Sequence, residues 1–371
     1  MKLLIIYASS GAGHFKAAQA VYDYFKSNLK GTHVELVDVL DKTSPIFKFN
    51  YTSGYSILVN QARPLWRIAF WFTEVKALRF FTRWFAGIFD RLNTKGFSDF
   101  LIEKNPECII STHFIPSAIA SILKKENKIK SRLITVITDF DIHPFWISSA
   151  TDTYIVATSV TKELLIRHNV DSGMIKDTGI PVNPNFLKPA DRKTICKKLK
   201  VDPGKFTVLV ATGSFGFGPI EEIVDSLYKD VQLLVVCAGN KKLFKKLKGR
   251  HYSGVSVFGF VNNMEELMGA SDMIITKPGG LTISETLIME LVPVFISAIP
   301  GQESGNAEVL SEYGIDYNPK SVSEIKDIIL DFRNNPQKYK LAKERVSLLK
   351  KPGCLKELGH VVCQSGTGPA C

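Results

Sequence analysis

Short apolar runs alternate with helix-length stretches through both halves of this chain, and that alternation restricts the fold more than any other feature. In the first half the strand-like runs lie at residues 2–7, 33–38, 107–111, 132–138 and 153–156, and in the second at 206–211, 231–237, 254–259, 272–276 and 292–297. Strands that alternate with helices give parallel sheets covered by helices. At 371 residues the chain exceeds what one compact core usually holds, so two such domains are expected. The reading places an N-terminal domain at 1–185 with an insertion at 45–92, and a linker at 186–200, the end of a stretch from Asp177 to Lys200 where prolines and lysines gather. A C-terminal domain follows at 201–350, then a tail at 351–371 that loses periodicity and is expected to be loosely ordered.

In sheets of this kind ligands sit beyond the carboxyl ends of the strands. Thr276-Lys277-Pro278-Gly279-Gly280-Leu281-Thr282-Ile283-Ser284-Glu285 falls there and reads as a strand end, a glycine pair and a helix start. Free N–H groups and the positive end of a helix dipole attract an anion, so Lys277, Gly279, Gly280 and Thr282 are candidate phosphate contacts. Glu285, one turn in, cannot serve that anion but suits the paired hydroxyls of a ribose. After the next strand, Gln302, Glu303 and Asn306 in Pro300-Gly301-Gln302-Glu303-Ser304-Gly305-Asn306 are placed to read a polar appendage. A second glycine-rich turn, Thr212-Gly213-Ser214-Phe215-Gly216-Phe217-Gly218-Pro219, offers Gly213, Ser214 and Gly216 to the same diphosphate, and Phe260 follows a strand end able to hold a flat base. In this order the segments point to a nucleotide-sugar site.

Ser9-Ser10-Gly11-Ala12-Gly13-His14 joins the first strand to a helix, without the GK[ST] of a P-loop or the third glycine of a dinucleotide fingerprint. His14, in a first helical turn, feels the positive dipole end, which favours the neutral imidazole that acts as a base. Across the same rim stand His113 and the segment Thr138-Asp139-Phe140-Asp141-Ile142-His143-Pro144-Phe145-Trp146. Asp139 is read either as orienting an imidazole or as taking a proton itself. No third ligand accompanies Asp139 and Asp141, and the six cysteines form no CxxC pair, so no metal is expected and the chain reads as reduced and intracellular.

Lys+Arg at 47 against Asp+Glu at 36 gives +11, which favours a polyanionic partner. No nucleic-acid reader module is recognisable, so nucleic acid is not expected. Within 45–92 stand Trp66, Trp71 and Trp84; Phe81 and Phe85 recur at helical spacing while Arg79 and Arg83 fall on the opposite side. An aromatic, basic, amphipathic helix fits a membrane interface rich in anionic lipid. The same pattern also fits a core helix with a solvated far face. No apolar stretch reaches the ~20 residues that span a bilayer, and the opening run is too short for a signal peptide, so the expected location is peripheral, on the cytoplasmic side of a membrane.

Gly11-Ala12-Gly13-His14, Thr138-Asp139-Phe140 with His143 and Trp146, Lys277-Pro278-Gly279-Gly280, Ser284-Glu285 and Pro300-Gly301-Gln302-Glu303 with Gly305-Asn306 together resemble a known family. Over about residues 1 to 350 the chain is similar to the GT-B glycosyltransferases of family 28, within the monogalactosyldiacylglycerol synthase and processive diacylglycerol glucosyltransferase group. The resemblance implies an α/β fold of two Rossmann-like domains whose parallel sheets face across a cleft. It implies Gly279, Gly280 and Thr282 at the diphosphate, Glu285 at the ribose, Phe260 at the uracil through its backbone, and Gln302, Glu303 and Asn306 at the sugar and its phosphate. Gly11, Gly13, His113, His143 and Trp146 then line the acceptor side, with His14 or Asp139 as the base. The implied reaction is inverting transfer of a hexose from UDP-glucose or UDP-galactose to diacylglycerol, with no cofactor or metal. The alternative it leaves is GlcNAc transfer from UDP-GlcNAc to a polyprenyl-linked acceptor. Three departures stand out: Ala12 interrupts the glycines that often precede the histidine, the donor loop reads Lys277-Pro278-Gly279-Gly280 where many members place a different third residue, and the sequence after Lys350 looks unlike the helix that in this fold returns to the first domain.

Overall fold

The computed structural model describes residues 1–9, 11–29, 31–54, 93–188, 191–296, 298 and 301–363. The chain forms two units, one of Met1–Pro181, Ile299–Gln302 and Gly353–Cys371, the other of Val182–Ala298 and Glu303–Pro352.

The first unit is built on a parallel sheet of β1 (Lys2–Tyr7), β2 (His33–Asp38), β3 (Cys108–Ser111), β4 (Arg132–Val136), β5 (Thr153–Ile155) and β6 (Ile175–Lys176), in the order β2-β1-β3-β4-β5-β6. A strand covered on both faces needs apolar side chains at successive positions. In β1, Leu3 and Ile5 pack on one face with Val21 and Phe25 of helix Ala12–Asn28, while Leu4 and Ile6 pack on the other with Phe97 and Leu101 of helix Lys95–Lys104. Each such side chain taken fully out of water contributes about 1.5–3 kcal/mol.

The second unit carries β7 (Thr207–Ala211), β8 (Gln232–Val236), β9 (Val255–Phe258), β10 (Met273–Thr276) and β11 (Val292–Phe295), all parallel in the order β11-β10-β7-β8-β9. Pro293 cannot donate to a ladder, and it lies on the edge strand β11, where only one side is paired. Val208, Val210, Leu233, Val235, Met273 and Ile275 pack beneath Ile223 and Leu227 of helix Ile220–Leu227 and Ile325 and Ile329 of helix Val322–Asn334.

Both sheets reverse direction beside their first strand. From β1 the chain builds outward to β2 and then begins the other side with β3; from β7 it builds to β8 and β9 and then begins the other side with β10. The loops after β1 and β3, and those after β7 and β10, therefore flank the crevices where open parallel sheets bind ligands.

Two expectations are corrected. The tail is not loose through its first half: helix Cys354–Cys363 buries Cys354, Leu355, Leu358, Val361 and Val362 against β1, β3 and β4, and the Val361 carbonyl accepts from Arg132 Nη1 at 2.5 Å. The sequence after Lys350 thus supplies the returning helix that its glycines and cysteines obscure. The segment expected to be a linker contains helix Arg192–Leu199, which starts where the Asp191 carboxylate accepts from Lys193 N and Thr194 N at 3.2 and 3.1 Å. Cys108, Cys196, Cys237 and Cys354 are free and buried. Of the insertion, helix Pro45–Phe49 and the turn Asn50–Gly54 are described. The membrane candidates Trp66, Trp71, Arg79, Phe81, Arg83, Trp84 and Phe85 lie outside the described residues.

Candidate active site

In the first unit the crevice between the loops after β1 and β3 holds His14. Helix Ala12–Asn28 begins at Gly11, which has no side chain to cap it, and its first turn carries no acidic residue. His14 is the third residue of that helix. Its Nδ1 lies 3.0 Å from the Thr112 carbonyl oxygen and 2.7 Å from the Thr138 hydroxyl. A carbonyl only accepts, so Nδ1 carries the proton, the Thr138 oxygen shares it, and Nε2 is left with its lone pair. Thr112 fastens the histidine a second time, its hydroxyl donating to the His14 carbonyl at 2.9 Å. Burial holds the His14 pKa below 6.5, opposed by the negative charge of Asp139 and by the Thr112 carbonyl, both of which favour the imidazolium.

His113 plays a different part. Its Nδ1 accepts from Ile115 N at 3.1 Å, capping helix Phe114–Lys125, and its ring stands edge-on to His14 at 4.6 Å between centroids. Burial first, and the neighbouring His14 second, push its pKa well below 6.5, so it is a neutral cap and ring spacer. His143 does likewise for the short turn Pro144–Trp146, accepting from Phe145 N at 3.3 Å. That turn delivers Trp146, whose indole Nε1 donates to Asp139 at 3.2 Å and whose ring lies 6.2 Å from that of His14. Asp139 is 6% exposed, and Gln302, in the same unit, donates to its two oxygens at 2.9 and 3.1 Å. The residues singled out around the two N-terminal motifs thus converge: His14, His113, Asp139, His143 and Trp146, with Thr112 and Thr138 added. Thr112 belongs to no motif and Thr138 opens one without an assigned role there; the β1–β3 and β3–β4 pairing brings both to the ring.

In the second unit the loop after β10 enters helix Gly280–Ile288 through Gly279, again with no side-chain cap and no acidic first turn. A Cβ on Gly279 would meet nothing within 4 Å, so the backbone faces open space. Glu285 lies on that helix and is buried, and Thr282 is half-buried. The turn after β7 places Gly213 at φ +87° and Gly218 at φ +132°, with Phe215 and Phe217 exposed and stacked at 5.8 Å. Phe260, past β9, is 72% exposed and can present its backbone or ring to a planar group. Lys277 and Glu303 are half-buried near these helix starts.

Two donor-side residues also carry a packing role. Gly216 is held at φ +60° with its Cβ position 2.2 Å from the Cys237 carbonyl oxygen, so it is a glycine because of packing against the loop after β8. Asn306 is fully buried and donates to the Pro278 carbonyl at 3.0 Å, so it braces the donor loop from behind.

Comparison with known proteins gives two family matches: residues 14–182 match the model described as monogalactosyldiacylglycerol (MGDG) synthase, and residues 207–358 the glycosyltransferase family 28 C-terminal domain. A Bacillus cereus protein named processive diacylglycerol beta-glucosyltransferase is 30% identical over 84% of this chain and 80% of its own length. A Staphylococcus epidermidis protein of the same name is 28% identical over 93% of this chain and 88% of its own. Among solved structures, UDP-GlcNAc 2-epimerase from Neisseria meningitidis aligns with a TM-score of 0.63 at 12% identity, covering 98% of this chain and 100% of that one. At that identity the likeness concerns the fold alone.

Proposed function

Because the chain belongs to the family 28 GT-B glycosyltransferases, in the monogalactosyldiacylglycerol synthase and processive diacylglycerol glucosyltransferase group, we propose that it transfers a hexose with inversion from a UDP-sugar to the hydroxyl of diacylglycerol. The relatives' shared name supports this acceptor over a polyprenyl-linked one and favours glucose, while the N-terminal family description keeps UDP-galactose as a donor to test.

The observation that carries the mechanism is the tautomer of His14. With Nδ1–H committed to Thr112, Nε2 is the basic atom, and a pKa held below 6.5 keeps it unprotonated near pH 7. The acceptor oxygen forms its bond to the anomeric carbon as the bond to the β-phosphate oxygen breaks, through a transition state with oxocarbenium character. The hydroxyl proton passes to His14 Nε2, and UDP departs with the bonding pair. Asp139, its oxygens engaged by Trp146 and Gln302, acts as a fixed negative charge that favours the imidazolium once formed. In the second unit the uncapped start of helix Gly280–Ile288 receives the diphosphate charge through backbone N–H groups, with Glu285 at the ribose. This reading assigns no cofactor and no metal, and it places the enzyme peripherally on a membrane, where its lipid acceptor resides. Among the described residues no helix is long and apolar enough to cross a bilayer.

Incubation with UDP-glucose, UDP-galactose or UDP-GlcNAc and diacylglycerol in neutral detergent, followed by mass measurement of the lipid, tests the proposal. A gain of one hexose is expected; no glycolipid from any donor refutes it.

A further inference from the structure

The second unit carries a basic surface outside the catalytic groups, most of whose lysines lack a carboxylate partner among the described residues. Helix Lys241–Gly249 turns Leu243, Phe244 and Leu247 toward the core and leaves Lys241, Lys242, Lys245, Lys246 and Lys248 exposed. Lys246 pairs with Glu221, and the following Arg250 pairs with Glu221 and Asp225. No carboxylate among the described residues pairs with Lys241, Lys242, Lys245 or Lys248. At helical spacing Lys241, Lys245 and Lys248 share one stripe with Lys242 beside it. Lys241 and Lys242 occupy the first turn, with no acidic residue there, although a helix N-terminus disfavours cations. Folding alone gives no reason for that arrangement.

Aromatic rings stand next to this stripe. Asn240 caps the helix by accepting from Leu243 N at 3.0 Å, and its Nδ2 donates to the Gly216 carbonyl at 3.2 Å. Gly239 N also donates to the Ser214 carbonyl at 3.1 Å. The clasp holds Phe215 and Phe217, 56% and 41% exposed, at the N-terminal end of the lysine helix. Lysines without a carboxylate partner, beside solvent-facing rings, match the anionic headgroups and apolar boundary of a lipid bilayer; Lys248 also lies over the Phe244 ring at 5.4 Å. We propose that the second unit has its own membrane contact, made by Lys241, Lys242, Lys245 and Lys248 with Phe215 and Phe217, and selective for anionic phospholipid.

The proposal concerns lipid-surface binding and does not depend on the sugar or acceptor assigned above. The test is sedimentation of the full chain with phosphatidylcholine vesicles and with vesicles containing phosphatidylglycerol, for wild type and Lys241→Gln/Lys242→Gln/Lys245→Gln/Lys248→Gln. Transfer to diacylglycerol in neutral detergent is measured in parallel. The variant should bind phosphatidylglycerol vesicles about tenfold or more weakly, with a shallower salt dependence, bind phosphatidylcholine vesicles as wild type does, and keep its detergent activity. Equal binding of wild type and variant to phosphatidylglycerol vesicles overturns the proposal. So does a lysine-dependent preference for duplex DNA over vesicles at matched salt. Loss of transfer by wild type in detergent would refute the catalytic reading and leave the vesicle result to be judged by itself.

Discussion

The Nδ1 atom of His14 stands 3.0 Å from the carbonyl oxygen of Thr112, a residue 98 positions away, and this contact fixes which nitrogen of the ring is free to act. A backbone carbonyl leaves no choice of donor. The basic atom is therefore set by the β1–β3 pairing that brings the two loops together, and the catalytic predictions follow from that tautomer.

If His14 is the base, His14→Ala should lower kcat by about 10²–10⁴ with little change in the KM for UDP-sugar. For wild type, kcat/KM should rise with pH through the His14 pKa, which burial holds below 6.5, and level off above it. Steady-state kinetics between pH 5 and 9 measure both. A His14→Ala enzyme within a few-fold of wild type removes the histidine from proton transfer.

Asp139→Asn separates the two candidate bases. The Asp139 charge raises the His14 pKa against the lowering effect of burial, so removing that charge should move the acidic limb of the pH profile to lower pH. Activity should fall about 10- to 100-fold, consistent with a lost charge-stabilising partner. An enzyme that loses all turnover at every pH would instead make Asp139 the proton acceptor.

Thr138→Val removes the hydroxyl that shares the Nδ1 proton at 2.7 Å while keeping the volume of a buried side chain. A loosened imidazole should cost about threefold to tenfold in kcat, without a rise in donor KM. Thr138→Ser should restore most of the rate. A change confined to stability, with kcat intact, would show that Thr138 only packs.

The donor-side glycines predict opposite outcomes for the same substitution. Gly216→Ala puts a methyl group 2.2 Å from the Cys237 carbonyl at a φ of +60° and should cost about 1–3 kcal/mol or more, seen as a lowered Tm. Gly279→Ala has open space around the new methyl and an ordinary φ of −76°, so Tm should hold. Its effect should appear as a raised KM for UDP-sugar, because the methyl occupies the approach to the helix start. If Gly279→Ala changes neither quantity, the diphosphate does not come to that backbone.

The strand alternation was enough to infer both parallel sheets, because buried parallel strands leave uninterrupted apolar runs such as Leu3 to Ile6. Motif spacing likewise singled out His14, Asp139 and the Lys277–Gly280 loop as candidates. What could not be read was anything set by packing between distant segments. Thr112 lies outside every motif and Thr138 has no role in its own until strand order places both at one ring. Gly216 and Asn306 belong to glycine-rich and polar motifs, yet their roles come from the Cys237 and Pro278 carbonyls they approach. Helix Cys354–Cys363 has a short apolar stripe interrupted by Gly359, whose lack of a side chain admits Tyr24 at a Cβ-to-hydroxyl distance of 3.2 Å. A glycine in a helix weakens local propensity, and only the docked partner reveals why it is there.

The buried histidines also set how stability responds to pH. His113 is 2% exposed, its Nδ1 accepts from Ile115 N, and burial followed by the nearby His14 holds its pKa well below the ordinary 6.5. In the unfolded chain the same ring protonates near 6.5, so below that pH the unfolded state binds more protons than the folded one. Stability is therefore full above pH 6.5 and declines as pH falls toward the folded pKa, the sign expected of a histidine buried neutral. Thermal unfolding followed between pH 7.5 and 5 should show Tm falling on the acid side. His113→Asn keeps a neutral side-chain acceptor at the N-cap, where asparagine is favoured, but cannot titrate. It should flatten that acid-side slope while leaving Tm at pH 7.5 within a few degrees, and a slope identical to wild type would place the acid sensitivity elsewhere.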